Sequence, residues 1–115
     1  MNERQRQIGE NEAIFRSVNE QIEALSSTLT TVTDTMRIVC ECGTRSCTDQ
    51  FPIIPVAYAR VREDPTLFLT RPGHDFPETE TVVAKEEGYW VVRKNPGLPE
   101  AIARATDPKD AREPS

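Results

Sequence analysis

The stretch MRIVCECGTRSCTDQFPII, residues 36–54, holds a branched apolar run, a tip with three thiols and a second run that can return. Met36 to Cys42 reads as a strand, Gly43 to Ser46 as a turn and Thr48 to Ile54 as the returning strand. Side chains two apart on a strand share a side, so Cys40 and Cys42 aim their sulfurs at one point from backbone positions about 7 Å apart. Glu41, between them, points the other way. Cys47 follows after a four-residue turn and can bring a third sulfur to the same point.

The chain has three cysteines and one histidine. An odd number of thiols cannot pair completely, which argues against a disulfide framework and for reduced thiols around a metal. Zinc takes a tetrahedron of sulfur and nitrogen donors at about 2.0–2.3 Å, and three cysteines with one histidine are a common structural set. The expected ligands are Cys40, Cys42 and Cys47 as thiolates and His74 as a neutral imidazole, with Arg45 offsetting thiolate charge. Other readings stay open at this level. The cysteines could be a buried cluster or a redox pair with one thiol over, and His74 a solvated loop residue.

Outward from this hairpin, Pro55 suits a first helical position and Asp64-Pro65 a stop, so a short central helix is expected over 55–63, burying Val56 and Ala59. Leu67 to Thr70 reads as extended. The Pro72-Gly73 turn then delivers His74. A second hairpin pairs Thr81–Lys85 with Tyr89–Lys94 around Gly88, and Tyr89 or Trp90 covers the core.

Upstream, Ile14, Val18, Ile22, Leu25, Leu29, Val32 and Met36 recur at helical spacing. The serines and threonines of SSTLTTVTDT weaken the later part, so the helix is expected over 8–26. This stripe either packs on the domain's own sheet or, around Ile14, Val18, Ile22 and Leu25, contacts another protein. Downstream of Asn95, Pro96, Pro99, Pro108 and Pro114 alternate with charges. This part reads as a flexible tail with at most a helical turn over 99–105. The division expected is an N-terminal helix and linker over 1–35, a zinc-binding core over 36–94 and a tail over 95–115. The fold class is α+β: a long helix, a small antiparallel sheet of two hairpins and a short central helix, stapled by zinc.

With 115 residues, 37% hydrophobic and 29% charged, the chain makes one domain lean in core material. A structural zinc contributes about 10–16 kcal/mol in small peptides, so a metal staple suits it. The net charge of −5 disfavours nucleic acid, and Arg60, Arg62 and Arg71 are interleaved with Glu63, Asp64 and Asp75. No apolar run reaches the roughly 18–20 residues of a membrane span, and MNERQRQIGENE is unlike a signal peptide, so a cytoplasmic location is expected. No nucleophile elbow, phosphate loop or second histidine points to an enzyme.

Two resemblances bear on the site. The ligand set is similar to that of CDGSH iron–sulfur proteins, whose histidine follows the third cysteine almost at once. Here Thr48-Asp49-Gln50-Phe51 follows Cys47, and His74 is 27 positions on, which makes a 2Fe-2S centre the alternative to zinc. Taken together, NEAIFRSVNEQIEAL, CECGTRSCTDQ, YARVREDPTLFLTRPGHDFPE and GYWVVRK resemble a family of short actinobacterial proteins with a C-x-C-G-x3-C tip and a P-G-H turn. That resemblance covers residues 10–94 and implies that His74 belongs with the cysteines. It implies no activity. The expected function is a small non-enzymatic zinc-binding regulatory or adaptor protein. Alternatives are a thiol-based redox or metal sensor that releases zinc on oxidation, an iron–sulfur electron carrier, and a zinc-finger-like nucleic-acid-associated regulator.

Overall fold

A computed structural model describes residues 3–29 and 35–108. The architecture is α+β, in the order α1 (Glu3–Leu29), β1 (Met36–Val39), β2 (Gln50–Ile53), α2 (Pro55–Val61), β3 (Leu67–Thr70), β4 (Glu80–Glu86), β5 (Tyr89–Lys94) and α3 (Leu98–Ala105). Both expected hairpins form. β1 pairs antiparallel with β2, Met36 opposite Ile53 and Val39 opposite Gln50. β4 and β5 pair around Glu87-Gly88, and β3 lies on the other side of β5.

The hairpins lie in two sheets rather than one, and the chain at Cys40-Glu41 passes between them. The Cys40 N–H still donates to the Asp49 carbonyl on the β2 side, at 2.9 Å, whereas the Glu41 N–H donates to the Leu69 carbonyl of β3, at 2.8 Å. Two apolar clusters follow. Met36, Ile38, Phe51, Ile53, Tyr58 and Leu69 form one, with Tyr89 stacked on Phe51; Phe68, Val92 and Ala103 form the other. Pro55 opens α2 as expected and is buried with Tyr58, whereas Val56 is exposed and Ala59 half-buried. A hydroxyl with a buried carboxylate to reach, described below, decides that face.

α1 is longer than expected, its first turns reinforced by Arg6 pairing with Glu3 and Glu10 one turn away on either side. Its buried face also differs. Ile14, Val18 and Leu25 are 60%, 41% and 66% exposed; among the stripe's described side chains on α1 only Ile22 packs against the first cluster, while Met36 belongs to that cluster from β1 rather than from the helix. The side chain of Leu29 and residue Val32 lie outside the described residues. The face turned inward carries Ile8, Glu12, Arg16, Asn19 and Glu20, all buried.

Each polar side chain on that face meets a partner from another element, although Arg16 Nε and one Glu12 oxygen have no hydrogen bond, and these contacts are what make its burial tolerable. Glu12 and Glu80 flank the Lys94 ammonium at 2.7 Å each. Arg16 lies over the Phe68 ring and donates to the carbonyls of Pro65 and Ala103. Glu20 and Asp107 clasp Arg62, at 2.6 and 2.5 Å.

Residues 95–108 therefore depart from the expected flexible tail. α3 opens at Leu98 with Pro99 in its first turn, Ala103 packs into the second cluster, and Asp107 is buried against Arg62. Residues 109–115 of that proposed tail lie outside the described residues.

Candidate metal centre

The alternation that sets the strand also sets the site. From Val39 to Gly43 the chain sends even-numbered side chains to one side and odd-numbered positions to the other. Two short turns supply the remaining ligands. The Cys47 N–H donates to the Thr44 carbonyl at 3.0 Å, which turns the chain back at Arg45-Ser46. The His74 N–H donates to the Arg71 carbonyl at 3.1 Å, closing a turn with Pro72 at its second position and Gly73 at its third, with φ +83°. A side chain at Gly73 would be strained there, so proline and glycine in this order are what the turn requires.

The four expected ligands come together. One donor atom from each of Cys40, Cys42, Cys47 and His74 lies within 4.8 Å of all the others. His74 offers Nδ1, at 3.5 Å from Cys40 Sγ and 3.7 Å from Cys47 Sγ. A tetrahedron with zinc–sulfur and zinc–nitrogen bonds of about 2.3 and 2.0 Å has sulfur-to-nitrogen edges of about 3.5 Å. These side chains could hold a single metal ion with little movement. Nε2 of the same ring faces the Asp49 carboxylate at 3.5 Å, the arrangement by which a carboxylate orients a metal-binding imidazole.

The sulfurs are also prepared electrostatically. The Arg71 N–H donates to Cys40 Sγ at 3.2 Å, and the main chain at Thr44 and Asp49 favours the thiolate forms of Cys42 and Cys47. Backbone donors stabilise thiolates, as they do other anions. Cys42 ionises most readily. The hydrogen bond from Cys40 is the main cause, and its pKa falls to about 5. The same contact, with burial, pushes Cys40 up, while burial pushes Cys47 up. Arg45 does not take the expected role. It lies exposed beside Glu10, Asn11, Ile14 and Phe15 of α1, and the donor to the Cys40 sulfur is the Arg71 main-chain amide.

The reverse side of the ligand segment faces α1. Glu41 points away from the sulfurs, as expected, and is fully buried. It accepts from Asn19 Nδ2 at 2.8 Å, the Tyr58 hydroxyl at 2.7 Å and the Leu69 N–H at 3.0 Å. Burial still raises its pKa against those three donors. The Asn19 amide also accepts from the Val39 N–H and donates to the Val39 carbonyl, at 2.8 and 2.7 Å. Asn11 donates to the Gly43 carbonyl at 3.0 Å. Gly43 itself must lack a side chain, because a Cβ there would meet Ile8 Cγ2 at 2.5 Å.

Cys40 and Cys42 are buried, whereas Cys47 and His74 are half-buried and border a shallow surface depression of about 510 Å³ together with Thr44, Thr48, Asp49 and Asp75. Sequence reasoning missed Asp49 as the imidazole's partner and the two asparagines of α1. Asp49 lies two residues from a ligand and could have been suspected. Nothing local marks Asn11 or Asn19, since their partners are 32 and 20 residues away. No helix among the described residues is long and apolar enough to cross a membrane. No family model, curated protein or solved structure matches this chain.

Proposed function

We propose that this protein binds one zinc ion through Cys40, Cys42, Cys47 and His74, and that the ion has a structural role in a small non-enzymatic adaptor or regulatory protein. The observation that carries this reading is the convergence of four donors within 4.8 Å, with the Arg71 N–H on the Cys40 sulfur. Four protein donors fill a zinc tetrahedron, which suits a structural site better than a catalytic one. Their closeness also favours one ion over a two-iron cluster, whose paired metals hold the two ligand pairs further apart. Zinc here clamps the first hairpin's tip to the turn at residues 71–74.

The contact surface in this reading is the row Ile14, Val18, Ile22 and Leu25 on α1. Its support is exposure: three of the four side chains face solvent along a helix whose other face is already used. Elemental analysis of protein purified without added metal tests the centre. One equivalent of zinc and a colourless solution are expected, and bound iron with visible absorption would overturn it. Co-purification from the source cell tests the contact. A partner that stays bound when Ile14 and Leu25 are replaced by serine would overturn that row as the docking face.

A redox sensor is the second reading, favoured by the position of Cys47 at the depression's edge. In that reading peroxide oxidises the Cys47 thiolate and zinc leaves. Zinc retained under mild peroxide would discard it.

A further inference from the structure

The metal ligands and α1 grip one short stretch of chain from opposite sides. Two of the four donors, Cys40 and Cys42, sit on the segment from Val39 to Gly43, and α1 holds the same segment through Asn19 and Asn11. On one edge this segment is fixed by β2, ending at the hydrogen bond from the Cys40 N–H to Asp49. On the other edge the Asn19 amide completes the Val39 peptide groups, accepting from its N–H and donating to its carbonyl as a neighbouring strand would.

We propose that Asn11 and Asn19 are positioning residues for the metal centre, so that binding of the ion and docking of α1 form one linked equilibrium. This rests on the zinc reading given above. Asn11 donates to the Gly43 carbonyl, so α1 grips the peptide unit that follows the Cys42-Gly43 step, at the point where the chain leaves the ligand segment for the turn that delivers Cys47. Fixing that carbonyl holds the Cys42 backbone against α1 and sets where the Cys47 turn begins. Asn19 acts over a longer path. It holds Glu41, whose carboxylate receives the Leu69 N–H and whose own N–H donates to the Leu69 carbonyl. Two residues after Leu69, the Arg71 N–H binds the Cys40 sulfur, and the Arg71 carbonyl anchors the turn that delivers His74. Asn19 therefore sets the spacing between the half-site at 40–42 and the half-site at 74.

A coupling of this kind is reciprocal: whatever α1 contributes to ion affinity, the ion contributes to the docking of α1. The consequence reaches the surface, because the helix that positions the ligands also carries Ile14, Val18 and Leu25 on its outer face. Loading the metal centre thus fixes the presentation of that face.

Two measurements on the full chain test the proposal. The first is zinc affinity by competition with a chromogenic chelator. Asn11→Ala and Asn19→Ala should each weaken zinc by about tenfold or more, the usual size of an outer-shell effect, whereas Ile14→Ser should stay within about twofold of the unmodified protein. The second is amide hydrogen exchange on the unmodified protein before and after zinc is removed by a chelator. Exchange should quicken across residues 11–20 of α1 while β4 and β5 keep their protection. Should Asn19→Ala fail to fold, Asn11→Ala at its half-buried position and the exchange measurement carry the test. Unchanged affinity in Asn11→Ala, unchanged protection of α1, or equal loss of protection everywhere would each overturn the coupling while leaving the zinc reading intact. Failure of the unmodified protein to bind zinc would remove the reading beneath it.

Discussion

At His74 one ring faces two ways. Nδ1 faces Cys40 and Cys47 while Nε2 faces Asp49, an arrangement in which a carboxylate favours the tautomer that leaves Nδ1 to bind an ion. Asp49→Ala should weaken zinc binding by about tenfold without abolishing it, read by chelator competition. Cys42→Ser should abolish it, because the replacement removes the sulfur that ionises most readily and a hydroxyl is a poor zinc ligand. Elemental analysis of the purified variant reads that outcome directly. Glu12 gives a different kind of residue-scale prediction. Burial, and then the neighbouring Glu80 carboxylate, raise its pKa well above 4.5. The folded chain therefore holds this proton more tightly than the unfolded chain does. Its contribution is most favourable below the unfolded value and declines as pH rises from there toward the folded value. Glu12→Gln should flatten this part of the pH dependence and be more stable than the parent at neutral pH, measured by urea unfolding across the acid-to-neutral range. Curves of parent and variant that run parallel would contradict it.

At the scale of elements, α1 shows why a periodic apolar pattern alone does not assign a packing face. Ile14, Val18, Ile22 and Leu25 have the spacing of a buried stripe, yet the buried stripe is Ile8, Glu12, Arg16, Asn19 and Glu20. Transfer of a single charged side chain to an interior is unfavourable, so composition argues against this face. What reverses the preference is the set of partners: Lys94 for Glu12, two carbonyls and the Phe68 ring for Arg16, Arg62 for Glu20. These partners come from β5, the segments around β3, α2 and α3, distant in sequence and brought together only by folding. Arg62→Met should cost about 3–5 kcal/mol, since Glu20 and Asp107 then lose the guanidinium they share. Ile14→Ser and Leu25→Ser should each change stability by no more than about 0.5 kcal/mol, as surface substitutions do. Urea unfolding of zinc-loaded protein measures both, and a large effect of Leu25→Ser would restore the apolar row to the protein's own core. α3 follows the same logic. Its proline and charge content reads as a tail, but Ala103 and Asp107 find their places against Phe68, Val92 and Arg62.

Over the whole molecule, the elements legible in the sequence are those with local causes. The hairpin at residues 36–54, the proline-started α2, the turn around Gly88 and the Pro72-Gly73 turn each follow from side-chain alternation or from backbone angles that particular residues favour. The candidate ligand set was legible for a related reason: three thiols at strand-and-turn spacing and one imidazole leave few other combinations. The metal ion, by this reading, ties two of these local pieces together, and protons compete for the same thiolates, so zinc should be released as pH falls. Sequence by itself determined the class of fold, the two hairpins and the three-thiol tip, because chain geometry over a few residues dictates each of them, and it offered a single imidazole as the fourth donor; the structure brings His74 to the sulfurs. Only the tertiary structure decided which face of α1 turns inward, that the end of the chain through residue 108 packs, and that two asparagines brace the ligand segment. Those outcomes depend on hydrogen bonds and ion pairs between residues far apart along the chain, whose worth arises from burial that exists only after the elements have met.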